Sequence, residues 1–131
     1  MNTDRVKEIS VLLEGDLTEK ILGAAFKVHN ALGCGFLERV YENALVVELA
    51  RNKLKVEQQR AFRVTYEGAT VGDYQADLVV EDWVIVECKA LSHIEGVHES
   101  QLLNYLRASS LKVGLILNFG RPKLQWKRLV A

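Results

Sequence analysis

Glu87 and Lys89 stand two residues apart in the run from Trp83 to Ala90. Alternation along a strand puts Trp83, Ile85, Glu87 and Lys89 on one face and Val84, Val86, Cys88 and Ala90 on the other. The run is otherwise apolar, so it reads as a strand buried on both sides. A carboxylate and an ammonium that leave such a strand together need partners, water or a metal, because unpaired charge is costly to bury. Asp77, ten residues before Glu87, is placed to supply a second carboxylate. The competing reading is a strand-end salt bridge at a wet sheet edge.

A third carboxylate comes from a helix. Leu45 and Leu49 follow Glu38 by seven and eleven residues and so point nearly the same way on a wheel of 3.6 residues per turn, with Tyr41 alongside. Glu38 therefore sits at the margin of an apolar face. It is either aimed into a site or a rim glutamate paired with Arg39 or Arg51.

The elements that must position these groups follow from hydrophobic period and turn residues. Asp16, with Glu19 three residues on, reads as a helix start, which leaves residues 1–15 as an N-terminal extension. Ile21, Leu22, Ala25, Phe26, Val28, His29 and Leu32 continue at helical spacing. His29 on this face reads as a packed core residue. Gly33-Cys34-Gly35 ends the helix. A second helix is expected from Phe36 to Arg51, with Phe36, Leu37, Val40, Ala44 and Val47 as its apolar face. Strands follow over 55–66 and 71–80, joined by a turn at Glu67-Gly68. In the second of them Tyr74, Ala76, Leu78 and Val80 share one face, and Gln75, Asp77 and Val79 share the other. After the strand at 83–90 comes a helix over 94–108, with Val97, Gln101 and Tyr105 in one line and Leu102, Leu103 and Leu106 beside it. A buried strand over 112–119 and an edge strand at Leu124, Trp126 and Leu129 complete the chain. Strand, helix and strand in that order imply a right-handed crossover, hence an α/β domain.

Composition bounds the function. A chain of 131 residues, 49% apolar and 26% charged, is one ordinary globular domain. Seventeen basic and seventeen acidic residues cancel, so global charge draws the chain to neither nucleic acid nor membrane. A local basic patch remains open to Arg51, Lys53, Lys55, Arg60 and Arg63, with Arg121, Lys123, Lys127 and Arg128. The charged opening residues and the absence of a span-length apolar run predict a cytoplasmic protein without a membrane partner. Cys34 and Cys88 make no disulfide framework. With His93 and His98 they make no zinc spacing either. Oligomeric state is open, a homo-oligomer included.

Gly35, Glu38 and Tyr41 match the signature of the bacterial GxxExxY proteins. The likeness runs on through Asp77, Glu87-Cys88-Lys89 and the helix segment from Gln101 to Leu106. The chain resembles that family from about Leu17 to Val130. The family is placed in the PD-(D/E)xK nuclease-like superfamily, and Ala76 here stands where the motif name has proline. The resemblance implies a restriction-endonuclease-like core, a central mixed β-sheet flanked by α-helices with the site on the second and third strands. It implies a metal-dependent nuclease acting on DNA or RNA. Asp77 and Glu87, with the Cys88 backbone carbonyl, would hold Mg²⁺ or Mn²⁺, and Glu38 would join the shell directly or through water. The Cys88 thiol would face away and pack as a small hydrophobe. Lys89 would orient or deprotonate the attacking water, or neutralise developing charge. Gln101, Tyr105 and Tyr41 would border the substrate.

The alternative is a non-catalytic module of the same fold that binds a protein or nucleotide partner. A complete Asp, Glu and Lys set favours the enzyme, and the lack of a strongly basic face favours the module. One structural condition separates them. A two-residue hairpin at Glu81-Asp82 would pair Asp77 with Val86 and put Asp77 and Glu87 on opposite faces. A shared metal therefore requires a three-residue loop, a bulge or a kink near Asp77.

Overall fold

The computed structural model describes residues 3–131, with side chains from Gly15 onward. Eight elements follow in order: α1 (Thr3–Leu32), α2 (Glu38–Arg51), β1 (Val56–Tyr66), β2 (Ala69–Val80), β3 (Val84–Lys89), α3 (Gly96–Ser109), β4 (Val113–Asn118) and β5 (Gln125–Val130). The strands form one mixed sheet in the order β1-β2-β3-β4-β5. All neighbours are antiparallel except β3 and β4, which run parallel across the α3 connection. β5 is an edge strand, as expected for the stretch at Leu124, Trp126 and Leu129.

The sheet buries both faces. Leu78, Val80, Val84, Val86, Cys88, Leu115 and Leu117 face α1 and α2 in one core cluster. Val79, Ile85 and Ile116 face Leu102 and Leu106 of α3 in the other. Gly114 on β4 lets α3 come close, since a Cβ there would lie 2.8 Å from a Leu102 methyl. The buried Asn118 amide closes the ends of β3 and β4. It accepts from the Leu91 and Gly120 N–H groups at 2.8 and 3.0 Å and donates to the Leu91 carbonyl and to Gln125. Gly120 touches the Ala90-Leu91 backbone so closely that an added Cβ would stand 2.5 Å from Leu91 N and O. Gly120→Ala is therefore expected to destabilise the fold by about 1–3 kcal/mol, the usual range for overpacking. Urea denaturation reads this directly, and an unchanged midpoint would mean that the crossing is looser than described.

Helix boundaries correct the expectation at the N-terminus. α1 runs from Thr3, so Asp16 lies inside the helix and is no cap. Asp16 instead faces Lys20 one turn on, at 3.6 Å. Such i,i+4 pairs suit a helix interior as well as a start. α2 begins at Glu38, behind an extended Leu37.

The apolar face of α2 is also corrected. Tyr41, Leu45 and Leu49 are fully buried, with Glu42 and Glu48 beside them. Phe36, Leu37, Val40 and Val47 are exposed. The helix presents its i, i+4, i+8 row to α1 and the sheet, because the inward glutamates find partners there. Glu48 takes the Lys27 ammonium at 2.9 Å, and Glu42 takes two glutamine amides. On α3, likewise, Val97 is exposed and Leu102 and Leu106 carry the packing.

Candidate active site at the parting of β2 and β3

β2 and β3 pair as Leu78↔Val86, Val79↔Ile85 and Val80↔Val84, which leaves Glu81, Asp82 and Trp83 as a three-residue loop. Glu81 and Asp82 both take left-handed φ, 54° and 56°. Trp83 is thus a loop residue packed on the α1 side, not a strand residue alongside Glu87. The register carried one step beyond Leu78↔Val86 sets Asp77 across from Glu87, close enough for the Asp77 charge to act on the Glu87 carboxyl. The strands part at that step, and the Asp77 Oδ2 accepts the Cys88 N–H at 2.9 Å. The opening that lets side-chain oxygens approach is therefore built by the ladder's end.

A kink accompanies it. Ala76 and Val79 lie in the α3-side core, whereas Leu78 and Val80 lie in the other. Residues two apart on a regular strand share a face, so β2 rotates between Ala76 and Leu78 and the expected uniform face does not hold. On β1 the register flanks this point with Gln58↔Leu78 and Arg60↔Ala76, and Gln59 between them has φ 55°. A left-handed non-glycine residue costs about 1–2 kcal/mol. The Gln59 amide offsets it by donating to Glu42 at 3.0 Å and to Asp77 at 3.3 Å.

Glu87 is nearly buried, and its Oε1 has no hydrogen-bond partner. Burial first, then the Asp77 charge, pushes its carboxyl up to about 9, against the pull of Lys89. In the metal-free protein at neutral pH its carboxyl keeps its proton. Lys89 is half-buried at the end of β3, and among the described residues no carboxylate lies within ion-pairing distance of its ammonium. The Cys88 thiol is fully buried in the α1/α2-side core, and burial raises it well above its ordinary range.

Glu38 is exposed, and its Oε1 lies 3.4 Å from the Ala90 N–H it faces, just past the end of β3. It lines one open hollow with Phe36, Leu37, Arg39, Asp77 and Ala90. Arg39 and Arg51 pair with Glu42 and Glu48 instead. Tyr105 is half-buried beside the pair, stacked on Tyr74 at 3.8 Å. Burial, then the charges of Glu87 and Asp77, raise its hydroxyl. Gln101 is exposed on α3. In place of the substrate-side position expected for it, Tyr41 is a core residue. Its hydroxyl donates to the Gly33 carbonyl at 2.6 Å and accepts the Phe36 N–H at 3.2 Å, and its ring stacks on Phe119.

Glu42 and its glutamines are the site residues that periodicity did not reveal. Glu42 lies one helical turn after Glu38, and that spacing was the available signal. Its burial depends on Gln58 at 2.6 Å and on Gln59, which come from β1. His29 and His98 have structural roles. His29 is buried, and its Nε2–H donates to the Arg121 carbonyl at 2.8 Å. His98 closes a capping box with Glu95 at the start of α3. Several of the basic residues are held by carboxylates. Lys55 and Arg60 both hold Asp82, Arg51 holds Glu48, and Lys127 holds Glu99 at 3.3 Å.

The donor chemistry suits a hard cation: two carboxylates, one of them with an orphaned buried oxygen, at a strand parting. Among the described residues, no group of three His, Cys, Asp or Glu side chains is gathered closely enough to hold a metal. None of the described helices is long and apolar enough to cross a membrane.

Comparison with known proteins agrees with this architecture. Residues 15–129 match the PD-(D/E)XK nuclease superfamily. Neither a curated protein nor a solved structure gave a significant match. The mixed five-stranded sheet with helices on both faces is the α/β, restriction-endonuclease-like arrangement expected of that superfamily. With the match spanning nearly all of the sequence, the chain belongs to the PD-(D/E)XK nuclease superfamily.

Proposed function

We propose that the chain hydrolyses phosphodiester bonds of nucleic acid with the help of Mg²⁺ or Mn²⁺, and that Asp77, Glu87 and Lys89 carry the reaction. The observation that carries this reading is the orphaned Glu87 Oε1, buried beside Asp77 with Lys89 on the same strand. A buried polar atom without a partner costs free energy that a ligand can recover. Asp77 and Glu87, with the Cys88 carbonyl and waters, would hold the ion, and Glu38 would reach it through water. When bound, such an ion stabilises charge on the phosphoryl group and acidifies a water. Lys89 would orient the attacking water or neutralise charge as it develops. Gln59 would keep Asp77 in place, and Tyr105 and Gln101 would border the substrate.

Within the superfamily we assign the chain to the GxxExxY type. Gly35 takes φ 116°, which only glycine adopts readily. Glu38 opens α2 beside the hollow, and Tyr41 clasps the loop between α1 and α2. A second reading, a non-catalytic binding module, draws support from the absence of a three-ligand group among the described residues. Calorimetric titration with Mg²⁺ and Mn²⁺, paired with cleavage assays on single- and double-stranded DNA and RNA, separates the two. Metal binding lost in Asp77→Asn, together with metal-dependent cleavage, supports the enzyme. No binding and no cleavage by the parent would hand the fold to the module.

A further inference from the structure

Two large apolar side chains, Phe36 and Leu37, stand on the lining of the hollow among its carboxylates. Phe36 is 49% exposed and Leu37 81% exposed. They share one hollow with Glu38, Arg39 and Asp77. Phe36 is not a loose residue. Its N–H donates to the Tyr41 hydroxyl at 3.2 Å, and its ring meets the Tyr41 ring edge-on at 6.1 Å. Tyr41 in turn is fully buried and stacked on Phe119 at 4.7 Å. A core residue thus holds an aromatic ring out at the surface, beside the carboxylates.

We propose that the Phe36–Leu37 shelf receives the base of an unpaired nucleotide, so that the substrate is a single strand rather than a regular duplex; this rests on the phosphodiester reading above. Every base has a π-face that an aromatic or apolar surface can cover, whatever its sequence. A ring fixed in advance loses little freedom when it is covered. In a regular duplex those faces are already stacked on one another, and the shelf has nothing to meet. Duplex affinity comes mainly from neutralising phosphates. This chain has no net charge, and several of its cations are held by neighbouring carboxylates. Arg39 is the cation beside the shelf. Its side chain is 62% exposed, and it lies 3.8 Å from Glu42. That pair is long and solvent-exposed on the arginine side, and such pairs are weak, so the phosphate next to a stacked base can compete for the guanidinium.

The test is binding measured apart from cleavage. Fluorescein-labelled oligonucleotides would be titrated by anisotropy with the Lys89→Ala protein in Mg²⁺, with and without Phe36→Ala or Leu37→Ser. Single strands are expected to bind more tightly than the duplex of the same sequence. Phe36→Ala should weaken single-strand binding by roughly tenfold, the range of one base–aromatic stack, and leave duplex binding unchanged. A chain of abasic linkers with the same phosphates should not distinguish Phe36→Ala from its background. Val47→Ser, at an equally exposed position of α2 that does not line the hollow, should change nothing. DNA and RNA arms report which sugar is accepted. Circular dichroism melts establish that Phe36→Ala remains folded. Equal or tighter duplex binding, with no effect of Phe36→Ala, overturns the proposal while leaving the reaction itself intact. A parent dimer that Phe36→Ala converts to monomer in sedimentation, without altered oligonucleotide binding, assigns the shelf to a second copy and overturns it too. If the parent neither binds Mg²⁺ nor cleaves, the reaction fails independently of the shelf.

Discussion

Lys89→Ala is expected to lower phosphodiester cleavage by about 10²–10⁴-fold, the usual contribution of a positioned acid–base or charge-stabilising group. Affinity for Mg²⁺ should hold or rise, because the change removes a cation near the ion. The opposite split is expected for Glu87→Gln, where metal affinity and cleavage fall together. Folding should survive the lysine change, since among the described residues its ammonium makes no ion pair that would be broken. Metal titration, cleavage rates and thermal melts on the parent and both variants read all of this. If Lys89→Ala melts the fold while the parent binds no metal, the Asp77, Glu87 and Lys89 cluster is structural.

The second large effect is the response of Glu87 to pH. Its carboxyl lies near 9 in the folded, metal-free protein, against an ordinary value of 4.5, chiefly because of burial and next because of Asp77. A raised carboxyl favours the folded state only while it is protonated. That contribution is fully present below about 4.5 and is lost as pH rises toward about 9. With a chelator present, urea denaturation should show the parent losing stability across this window relative to Glu87→Gln, which has no such proton. Metal requires the carboxylate form, so Mg²⁺ binding should release close to one proton. Its affinity should rise by about tenfold per pH unit below the Glu87 midpoint. Calorimetry in buffers of different ionisation enthalpy counts the proton. Proton-neutral binding, with a flat pH dependence, would mean that the ion does not use Glu87.

How much of this could be read beforehand follows from the range of the forces involved. The strands, their turns and the placing of Asp77 and Glu87-Cys88-Lys89 on β2 and β3 were legible because hydrophobic alternation and turn chemistry act over a few residues. The need for a corrected hairpin register was legible too, because a one-residue slip moves every side chain to the other face. The three-residue loop at 81–83 meets that need. The kink at Asp77 was foreseen in kind, but not its partner. The left-handed Gln59 belongs to another strand, and nothing around residue 59 announces it.

Helix α2 marks where the sequence stops being enough. By hydropathy, Phe36, Leu37, Val40, Ala44 and Val47 outweigh a row that contains Glu42 and Glu48. The row with the glutamates is nevertheless the buried one. A carboxylate can enter a core when distant groups satisfy it, and those groups are Lys27, Gln58 and Gln59, brought in from α1 and β1. No local pattern records such partners, because they are neighbours only after folding. The same holds for Glu87. Its position came from strand period, but its proton and its unpartnered oxygen come from the closed surface around it and from the approach of Asp77 across the ladder's end. Burial is a property of the assembled surfaces, and it is burial that turns an ordinary glutamate into a candidate ligand.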